Sequence, residues 1–377
     1  YILFRDLTRN HLPNVENKKT MDLISWYRNA KLANSSVKKI VVELQKSEEP
    51  YAAAGLQSER WVYPKLPDIR SWLKFLVFGI RTGSSTLLAV ACGETAKGYL
   101  LRDALETKYF TLVKTESLAR EYLISQSGWY DKPLWMEYVE LQGSQVTCYY
   151  YSTNTEDPVF SGKFQMDYGL TLMRWNNFYV WDKCQEKLLR RYRPNANYSR
   201  VGYMDVVDDG SRIPESTSMF KIAVFDVTPA REAHVVRLGY TGFGGLGYNS
   251  ERTGKKFMSG IAHLAKNVTS VTVMRKDKRK YVNKSSAGMR RWLRNLIEVS
   301  DITEVPYGVG ASRLIDECDG VISIPFTSTA IIAKEKGKPT IYYDPIGNAV
   351  SPCDRGIPIL HSPDDLIQWA QNIMKES

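Results

Sequence analysis

Three consecutive hydroxyl residues follow an apolar segment in the last quarter of the chain. Residues 319–326, DGVISIPF, lead directly into Thr327, Ser328 and Thr329. This pattern predicts a buried strand that ends at Pro325 and a helix that begins at the hydroxyls. Capping is the favoured explanation for any single hydroxyl. Three in a row after a strand favour a phosphate site, because the free N–H groups and the positive dipole of a helix N-terminus attract anions.

A basic run follows a second apolar segment, residues 268–274. Lys276, Lys278 and Arg279 then leave the predicted sheet at its carboxyl edge, where they can face the same anionic group as the hydroxyls. An exposed charged loop is the alternative explanation. Neither a zinc-finger spacing nor the aromatic strand of an RNA-binding domain accompanies the run, so the sequence favours a small polyanion and predicts no nucleic-acid partner.

Two carboxylates stand where predicted strands end. Asp226 follows the apolar run 221–225, and a carboxylate there can act as a nucleophile toward a sugar carbon or as a base. Turn formation is the plainer role of such a residue. In the first half, Glu156 follows the predicted strand 145–152 and is the expected partner carboxylate, with Asn154 as a hydrogen-bonding neighbour.

Two further loops are candidates for contact with an acceptor. Glu94 lies between a predicted strand, 86–93, and a predicted helix, 95–105, although helix capping explains it about as well. Gly244 lies in the glycine-rich segment 239–247, whose backbone can approach a ligand closely. No H-E-x-x-H or G-x-S-x-G pattern occurs, so the sequence predicts neither a metal ion nor a cofactor nor a Ser-His-Asp triad.

The elements that must position these residues are most regular after residue 215. Strands are predicted over 221–226, 268–274, 296–300, 320–325, 339–343 and 357–360, and helices over 251–267, 289–296, 311–317, 327–336 and 363–374. Alternating helices and near-continuous apolar strands predict a parallel sheet that is covered on both faces. This half is therefore expected to form a Rossmann-like domain.

The first half follows the same alternation less regularly. Strands are predicted over 37–44, 86–93, 145–152 and 178–181, and helices over 21–33, 95–105, 116–125 and 182–191. Residues 192–218 suit a connection between domains. We therefore predict an α/β protein of two Rossmann-like domains, 1–214 and 215–377, with a cleft between the carboxyl edges of their sheets.

Composition limits the class and the location of the protein. The chain has 377 residues with 51 Lys and Arg against 41 Asp and Glu, a net charge of +10, and 43% hydrophobic residues, which excludes wholesale disorder. Its five cysteines form no C-x-x-C and favour a reducing compartment, so the expected location is the cytoplasm. Residues 72–93 are apolar but are interrupted by Lys74 and Arg81, which predicts a soluble protein. The chain begins at Tyr1 without a signal-peptide pattern and is expected to be a fragment.

Residues 225–229 (FDVTP), 276–279 (KDKR) and 319–345 (DGVISIPFTSTAIIAKEKGKPTIYYDP) together resemble bacterial surface-polysaccharide glycosyltransferases of GT-B architecture. Among these the chain is most similar to the retaining β-Kdo transferases, which use CMP-Kdo to build lipopolysaccharide O-antigen or capsule. The resemblance implies a donor nucleotide-sugar on the C-terminal domain, with no other cofactor, and a glycan or lipid-linked glycan acceptor on the N-terminal domain.

The resemblance also implies roles for individual residues. Asp226 would attack the anomeric carbon and form a glycosyl-enzyme adduct, and Glu156 would be the acid/base. The residues that would hold the CMP phosphate or the sugar carboxylate are Lys276, Lys278, Arg279, Pro325, Thr327, Ser328 and Thr329. The positive charge suits peripheral contact with the anionic inner face of the inner membrane. The alternatives are a UDP- or GDP-sugar transferase or epimerase, and a non-catalytic module that binds a glycan or a nucleotide.

Overall fold

The computed structural model describes the larger part of the chain. The described residues are 1–7, 26–27, 40–44, 52–53, 56–57, 63–125, 132–149, 159–160, 163–164, 168–203, 211–215, 220–231, 248–276, 285–347, 349 and 355–376. The predictions for Asn154, Glu156, Gly244, Lys278 and Arg279 lie outside these residues.

The first half of the chain forms a six-stranded parallel sheet. Its strands are β1 (Ile2–Leu7), β2 (Ile40–Leu44), β5 (Glu121–Ser125), β6 (Gln145–Tyr149), β9 (Asn177–Val180) and β10 (Asn197–Arg200). Their order across the sheet is β10-β9-β6-β5-β1-β2. Two antiparallel hairpins accompany it, formed by β3 (Ala52–Ala53) with β4 (Leu56–Gln57) and by β7 (Val159–Phe160) with β8 (Lys163–Phe164).

Helices connect the strands of this first sheet. They are α1 (Ile69–Ala91), α2 (Ala96–Phe110), α3 (Leu134–Leu141), α4 (Tyr168–Thr171) and α5 (Lys183–Tyr192). The ring of Phe110, at the end of α2, stacks on Trp135 of α3 with 4.1 Å between the centroids. Both rings are buried, so this contact attaches the α1–α2 pair to the core of the first half.

The second half forms another six-stranded parallel sheet. Its strands are β11 (Phe220–Phe225), β12 (Val271–Lys276), β13 (Thr303–Val305), β14 (Gly320–Ser323), β15 (Thr340–Tyr343) and β16 (Ile359–Leu360). The order is β13-β12-β11-β14-β15-β16. The helices are α6 (Glu251–Asn267), α7 (Ala287–Val299), α8 (Ala311–Asp316), α9 (Ser328–Glu335) and α10 (Pro363–Glu376). These two parallel α/β sheets confirm the predicted fold class.

Local sequence explains the helices of the second half. Helix α6 begins at Ser250, whose hydroxyl accepts a hydrogen bond from the Thr253 N–H, as a Ser N-cap does. Its apolar residues Phe257, Ile261 and Leu264 recur at intervals of three and four and are fully buried against the sheet. The prediction of a helix over 251–267 is therefore confirmed to the residue.

Three predicted elements are wrong. Residues 86–93 are the last turns of α1 and the turn after it, not a strand, because α1 continues along α2. Residues 121–125 form β5, not a helix, because they pair with both β1 and β6. Residues 296–299 complete α7, and the next strand is β13. In each case pairing or packing with a distant segment overrides the local preference.

The two sheets are connected by direct contacts. Strand β10 ends at Arg200 and β11 begins at Phe220, so the chain passes from the first sheet to the second between these residues. Arg355 forms an ion pair with Asp182, with 3.0 Å between Nε and Oδ2. Buried side chains from both sheets, including Tyr149 and Phe225, belong to one hydrophobic cluster. Cys148 and Cys318 are buried thiols, whereas Cys184 is disulfide-bonded, so the expectation of reduced cysteines does not hold for this residue.

We predict that Gly260→Ala destabilises the second half. A Cβ at this position of α6 would lie 2.3 Å from the hydroxyl oxygen of Tyr343 in β15, and the Tyr343 ring is buried and cannot retreat. The expected loss is about 1–3 kcal/mol in the free energy of unfolding, measured by urea denaturation. The matched control is Gly288→Ala in α7, where the nearest atom is 3.9 Å away, and we expect a change within about 0.5 kcal/mol. Equal effects of the two substitutions would contradict the packing argument.

Candidate active site at the carboxyl edge of the second sheet

Strand register brings the predicted site residues to one edge. Strands β11 and β14 are neighbours, Phe225 is paired with Ser323, and the Ile324 N–H donates to the Phe225 carbonyl at 3.0 Å. On the other side of β11, Phe225 is paired with Lys276 of β12. Asp226, Lys276 and Pro325 therefore lie at the carboxyl ends of three adjacent strands, where open parallel sheets bind their ligands.

The turn between β14 and α9 is strained. Phe326 has a φ of +62°, which residues other than glycine seldom adopt. Its ring is buried and packs edge-on against Tyr342 with 5.7 Å between the centroids. This packing holds the turn in its unfavourable conformation. Such strain concentrates at ligand-binding and catalytic turns.

The hydroxyls of Thr327 and Thr329 form hydrogen bonds within the protein, and the Thr327 hydroxyl does not cap the helix. Thr327 is the N-cap residue of α9, yet its side chain makes no capping hydrogen bond. Its Oγ1 donates to the Ile324 carbonyl at 3.0 Å and lies 3.2 Å from the Thr329 Oγ1. The Thr329 hydroxyl also lies 2.8 Å from the Ser323 Oγ. These bonds tie the first turn of α9 to β14.

The N-terminus of α9 differs in this respect from those of its neighbours. At α6 and α7 the N-cap serine accepts the N–H of the third helical residue, whereas the N-cap side chain of α9 leaves the first-turn N–H groups without that acceptor. Simple capping by Thr327, the alternative considered from the sequence, is therefore not what the structure shows. The N–H donors of this turn retain the capacity to bind an anion.

Asp226 is buried in an ion pair that the sequence did not predict. Arg275 of β12 donates to the Asp226 Oδ2 from Nε at 3.1 Å and from Nη2 at 2.9 Å. The two side chains are only 6% and 4% exposed. Arg275 also donates from Nη1 to Glu304 of β13 at 3.0 Å. A carboxylate that accepts two charge-assisted hydrogen bonds is held ionised and in a fixed orientation.

Lys276 is the remaining described candidate at this edge. Lys276 is the last residue of β12 and donates from Nζ to the Tyr307 carbonyl at 3.1 Å. Asp344, which follows β15, is buried and accepts the N–H groups of Ile346 at 3.1 Å and Ala349 at 2.6 Å, so it shapes its own turn. Burial and the neighbouring Asp344 carboxylate raise the pKa of Tyr248 well above its usual value.

Glu94 does not follow a strand, which corrects the position predicted for it. It lies in the turn between α1 and α2, is largely exposed, and forms an ion pair with Lys97 at 2.5 Å. The cause is the continuation of α1 to Ala91, which replaces the predicted strand. Glu94 is therefore part of a helical hairpin and not of a sheet edge.

The described residues form no metal centre, and one pocket that they do form lies in the first sheet. Within those residues, no group of three or more His, Cys, Asp and Glu side chains is arranged to hold a metal ion. A pocket of about 510 Å³, lined in part by Glu140, Asn177 and Asn197, lies at the amino ends of β6, β9 and β10. That pocket is in the first sheet and contains none of the residues singled out from the sequence.

We predict that Arg275→Met strongly destabilises the protein. The substitution leaves Asp226 as a buried carboxylate without this partner, and breaking a buried ion pair in this way costs about 3–5 kcal/mol. Urea denaturation should show this loss, and the double variant Arg275→Met/Asp226→Leu should regain most of it because no buried charge is left at the pair. A single variant as stable as the wild type would show that the ion pair is not a structural element.

The chain resembles several solved structures of other proteins. One is a TarM variant from S. aureus in complex with fondaparinux, alpha-GlcNAc-glycerol and UDP, which is 11% identical over 72% of this chain and 52% of that chain, with a TM-score of 0.40. Another is the glycotransferase of kitacinnamycin, which is 10% identical over 99% of this chain and 90% of that chain, with a TM-score of 0.44. A third is the spinosyn rhamnosyltransferase SpnG with thymidine diphosphate, which is 11% identical over 99% of this chain and 91% of that chain, with a TM-score of 0.38. The chain thus spans about half the length of TarM (52%). Comparison with curated protein sequences gives no significant match.

A family model matches residues 86–370, which is most of the chain and includes the whole second sheet. The family is described as polysaccharide biosynthesis PFTS motif proteins. The letters P-F-T-S occur here at 325–328, in the strained turn between β14 and α9. The chain therefore belongs to the polysaccharide biosynthesis PFTS motif family.

Proposed function

We propose that this protein is a glycosyltransferase that binds a nucleotide-sugar donor at the carboxyl edge of its second sheet and transfers the sugar to a glycan acceptor. Family membership supports a role in polysaccharide biosynthesis. The observation that carries the proposal is the PFTS turn itself. It combines a strained backbone at Phe326 with a helix N-terminus that its N-cap side chain does not close.

The donor phosphate is proposed to bind over the first turn of α9. The hydroxyls of Thr327 and Thr329 are bonded to the protein, so they fix the turn, and the N–H groups of that turn are the donors for the phosphate oxygens. Lys276 lies at the same edge and supplies positive charge near the phosphate. Lys278 and Arg279 follow it in the sequence and are proposed to add to this charge.

The finer proposal is that the donor is CMP-Kdo and that the reaction retains configuration. In the first step an Asp226 oxygen forms a bond to the anomeric carbon, the bond from that carbon to the CMP phosphate oxygen breaks, and CMP leaves. In the second step an acceptor hydroxyl attacks the same carbon and releases Asp226, while Glu156 takes the hydroxyl proton. Phosphate is an acceptable leaving group by itself, so the proposal includes no metal ion.

The ion pair with Arg275 places a condition on this mechanism. Arg275 binds the Oδ2 oxygen through two N–H groups, so attack through Oδ1 would leave those bonds in place. The pair keeps the carboxylate ionised, as a nucleophile requires. It also makes Asp226 a weaker nucleophile than a free carboxylate, because the bound charge is already stabilised.

The burial of this same pair favours a second candidate function, a module that binds a glycan or nucleotide without catalysis. In that case Asp226 would serve only to neutralise Arg275 inside the sheet edge, where its side chain is 6% exposed. A transferase that uses a UDP- or GDP-sugar is the alternative within the enzymes. Nucleotide affinities and a test for a covalent sugar adduct separate these cases.

We predict that Ser328→Pro weakens donor binding without unfolding α9. Ser328 is the first helical residue, where proline is tolerated and removes only one N–H donor. Thr327 already has the extended backbone that a following proline requires, with φ −80° and ψ 147°. Loss of one charge-assisted hydrogen bond should weaken binding about 10- to 100-fold. Affinities for CMP, CMP-Kdo, UDP and GDP would be measured by calorimetry, and the nucleotide bound most tightly identifies the donor class.

Two further variants serve as controls for this prediction. Ala287→Pro places proline at the same position of α7, after the N-cap Ser286 with φ −68° and ψ 157°, and should leave nucleotide affinity unchanged. Ser328→Ala keeps the N–H and should bind nearly as well as the wild type. If Ser328→Pro bound every nucleotide normally, the PFTS turn would not be the phosphate site.

We predict that the protein incubated with CMP-Kdo gains the mass of one covalently bound sugar in intact-mass spectrometry. Asp226→Asn should not form this adduct but should still bind CMP, because asparagine keeps the size of the side chain, its amide oxygen can accept from Arg275, and Glu304 still pairs with the Arg275 charge. An Asp226→Asn protein that transferred sugar at the wild-type rate would exclude Asp226 as the nucleophile. A protein that binds a nucleotide but never transfers sugar to any glycan acceptor would favour the non-catalytic module.

A further inference from the structure

Helix α1 exposes an unusually apolar surface. None of its 23 residues is buried, although its composition and length are those of a helix able to cross a membrane, with a mean hydropathy of 1.3 over a window of 18 residues. The large apolar side chains that are at least half exposed are Ile69, Trp72, Leu73, Leu76, Val77, Ile80, Leu87 and Leu88. A continuous apolar surface of this kind marks an interaction site.

These side chains form one stripe, which we call the α1 stripe. Their spacing of three, four and seven residues places them on one side of a helix. The opposite side of α1 packs on α2, where Phe75 meets Tyr109 edge-on with 5.3 Å between the centroids and Lys108 of α2 lies over the Phe78 ring. The stripe thus faces away from the protein.

Positive charge follows one border of the stripe. Helix α1 contains Arg70, Lys74 and Arg81 and no acidic residue. At 100° per residue these three side chains fall within about 40° of one another around the helix axis. Apolar residues on one face with cations along the border are typical of helices that lie in the interface of an anionic bilayer.

Two features favour a helix lying on the membrane over one that spans it. Arg81 lies near the middle of α1, where a spanning helix would bury it, and only Arg70 lies at an end, where snorkelling would relieve its burial. Helix α2 packs along α1 and carries five charged residues of its own, so insertion of α1 would carry them into the hydrocarbon. Both costs are avoided when only the stripe enters the lipid.

We propose that the α1–α2 hairpin docks this protein on the surface of an anionic bilayer, with the α1 stripe in the acyl-chain boundary and Arg70, Lys74 and Arg81 at the lipid phosphates. A second copy of the chain is a less suitable occupant, because it would bring together two helices that carry only positive charge. The proposal is independent of the proposed sugar transfer, since the hairpin contains no residue of the PFTS turn.

The test compares binding of the full chain to vesicles of phosphatidylethanolamine with phosphatidylglycerol and to vesicles of phosphatidylcholine alone, by co-sedimentation. We expect binding to the anionic vesicles that high salt reverses. The triple variant Leu73→Ser/Leu76→Ser/Ile80→Ser should bind on the order of 100-fold more weakly, because it removes apolar area that enters the lipid. These side chains are 53–62% exposed, so their loss should not affect folding, and an unchanged thermal transition would verify this.

The matched control replaces apolar residues outside the hairpin that are more exposed than the three of the stripe variant. Leu141→Ser/Leu172→Ser/Val299→Ser changes side chains that are 83%, 66% and 66% exposed, and it should bind vesicles like the wild type. Replacing Arg70, Lys74 and Arg81 by Gln should weaken binding about fivefold per charge on anionic vesicles only.

Three outcomes would overturn the proposal. The first is equal vesicle binding by the wild type and the stripe variant. The second is retention on vesicles after both high salt and alkaline extraction, which indicates a spanning helix. The third is a stripe variant whose only change is from dimer to monomer in analytical ultracentrifugation. The last result would identify a second copy as the occupant. Nucleotide affinity, measured in parallel, should be the same for all these variants, so failure of this proposal is distinguishable from failure of the proposed function.

Discussion

The parallel register of β12, β11 and β14 is the constraint on which the candidate site depends. Pairing of Phe225 with both Lys276 and Ser323 fixes the height at which the three strands end. Because the strands run in the same direction, the residues after them emerge side by side. Asp226 and the PFTS turn are 99 positions apart at their nearest residues in the sequence, 226 and 325, and backbone hydrogen bonds alone make them neighbours.

Two costly features persist at this edge, and the surrounding core sustains both. The left-handed Phe326 is held by packing of its ring against Tyr342, and the buried charge of Asp226 is compensated by Arg275. Neither would survive in a loosely packed loop, since a strained backbone and a buried charge each disfavour the folded state. The amino edge of the first sheet has a pocket and also a buried ion pair, between Lys132 and Glu140, but within the described residues no residue other than glycine at that edge has a positive φ.

The α1–α2 hairpin exposes an apolar surface and is attached to the protein by buried aromatic contacts. Its stripe is apolar and exposed, and its attachment to the protein depends on aromatic contacts such as Phe110 with Trp135. Net charge predicted contact with an anionic membrane from the whole chain, whereas the hairpin offers a specific surface for it. A transferase that acts on a lipid-linked acceptor would benefit from such a surface, because docking confines enzyme and acceptor to the same interface.

Local periodicity predicted most of the second half, with 296–300 as the exception: the apolar spacing within 251–267 and the hydroxyls after 320–325 predicted α6, β14 and α9, because burial of one helix face or one strand leaves a pattern in adjacent residues. It failed at 86–93 and 121–125, where packing on α2 and pairing with β1 and β6 decide between helix and strand. Arg275 was part of the basic run in the sequence, yet only the tertiary structure buries it against Asp226. An ion pair between neighbouring strands, like the strain at Phe326, is decided by contacts between segments distant in the chain, and these leave no periodic signal in the sequence.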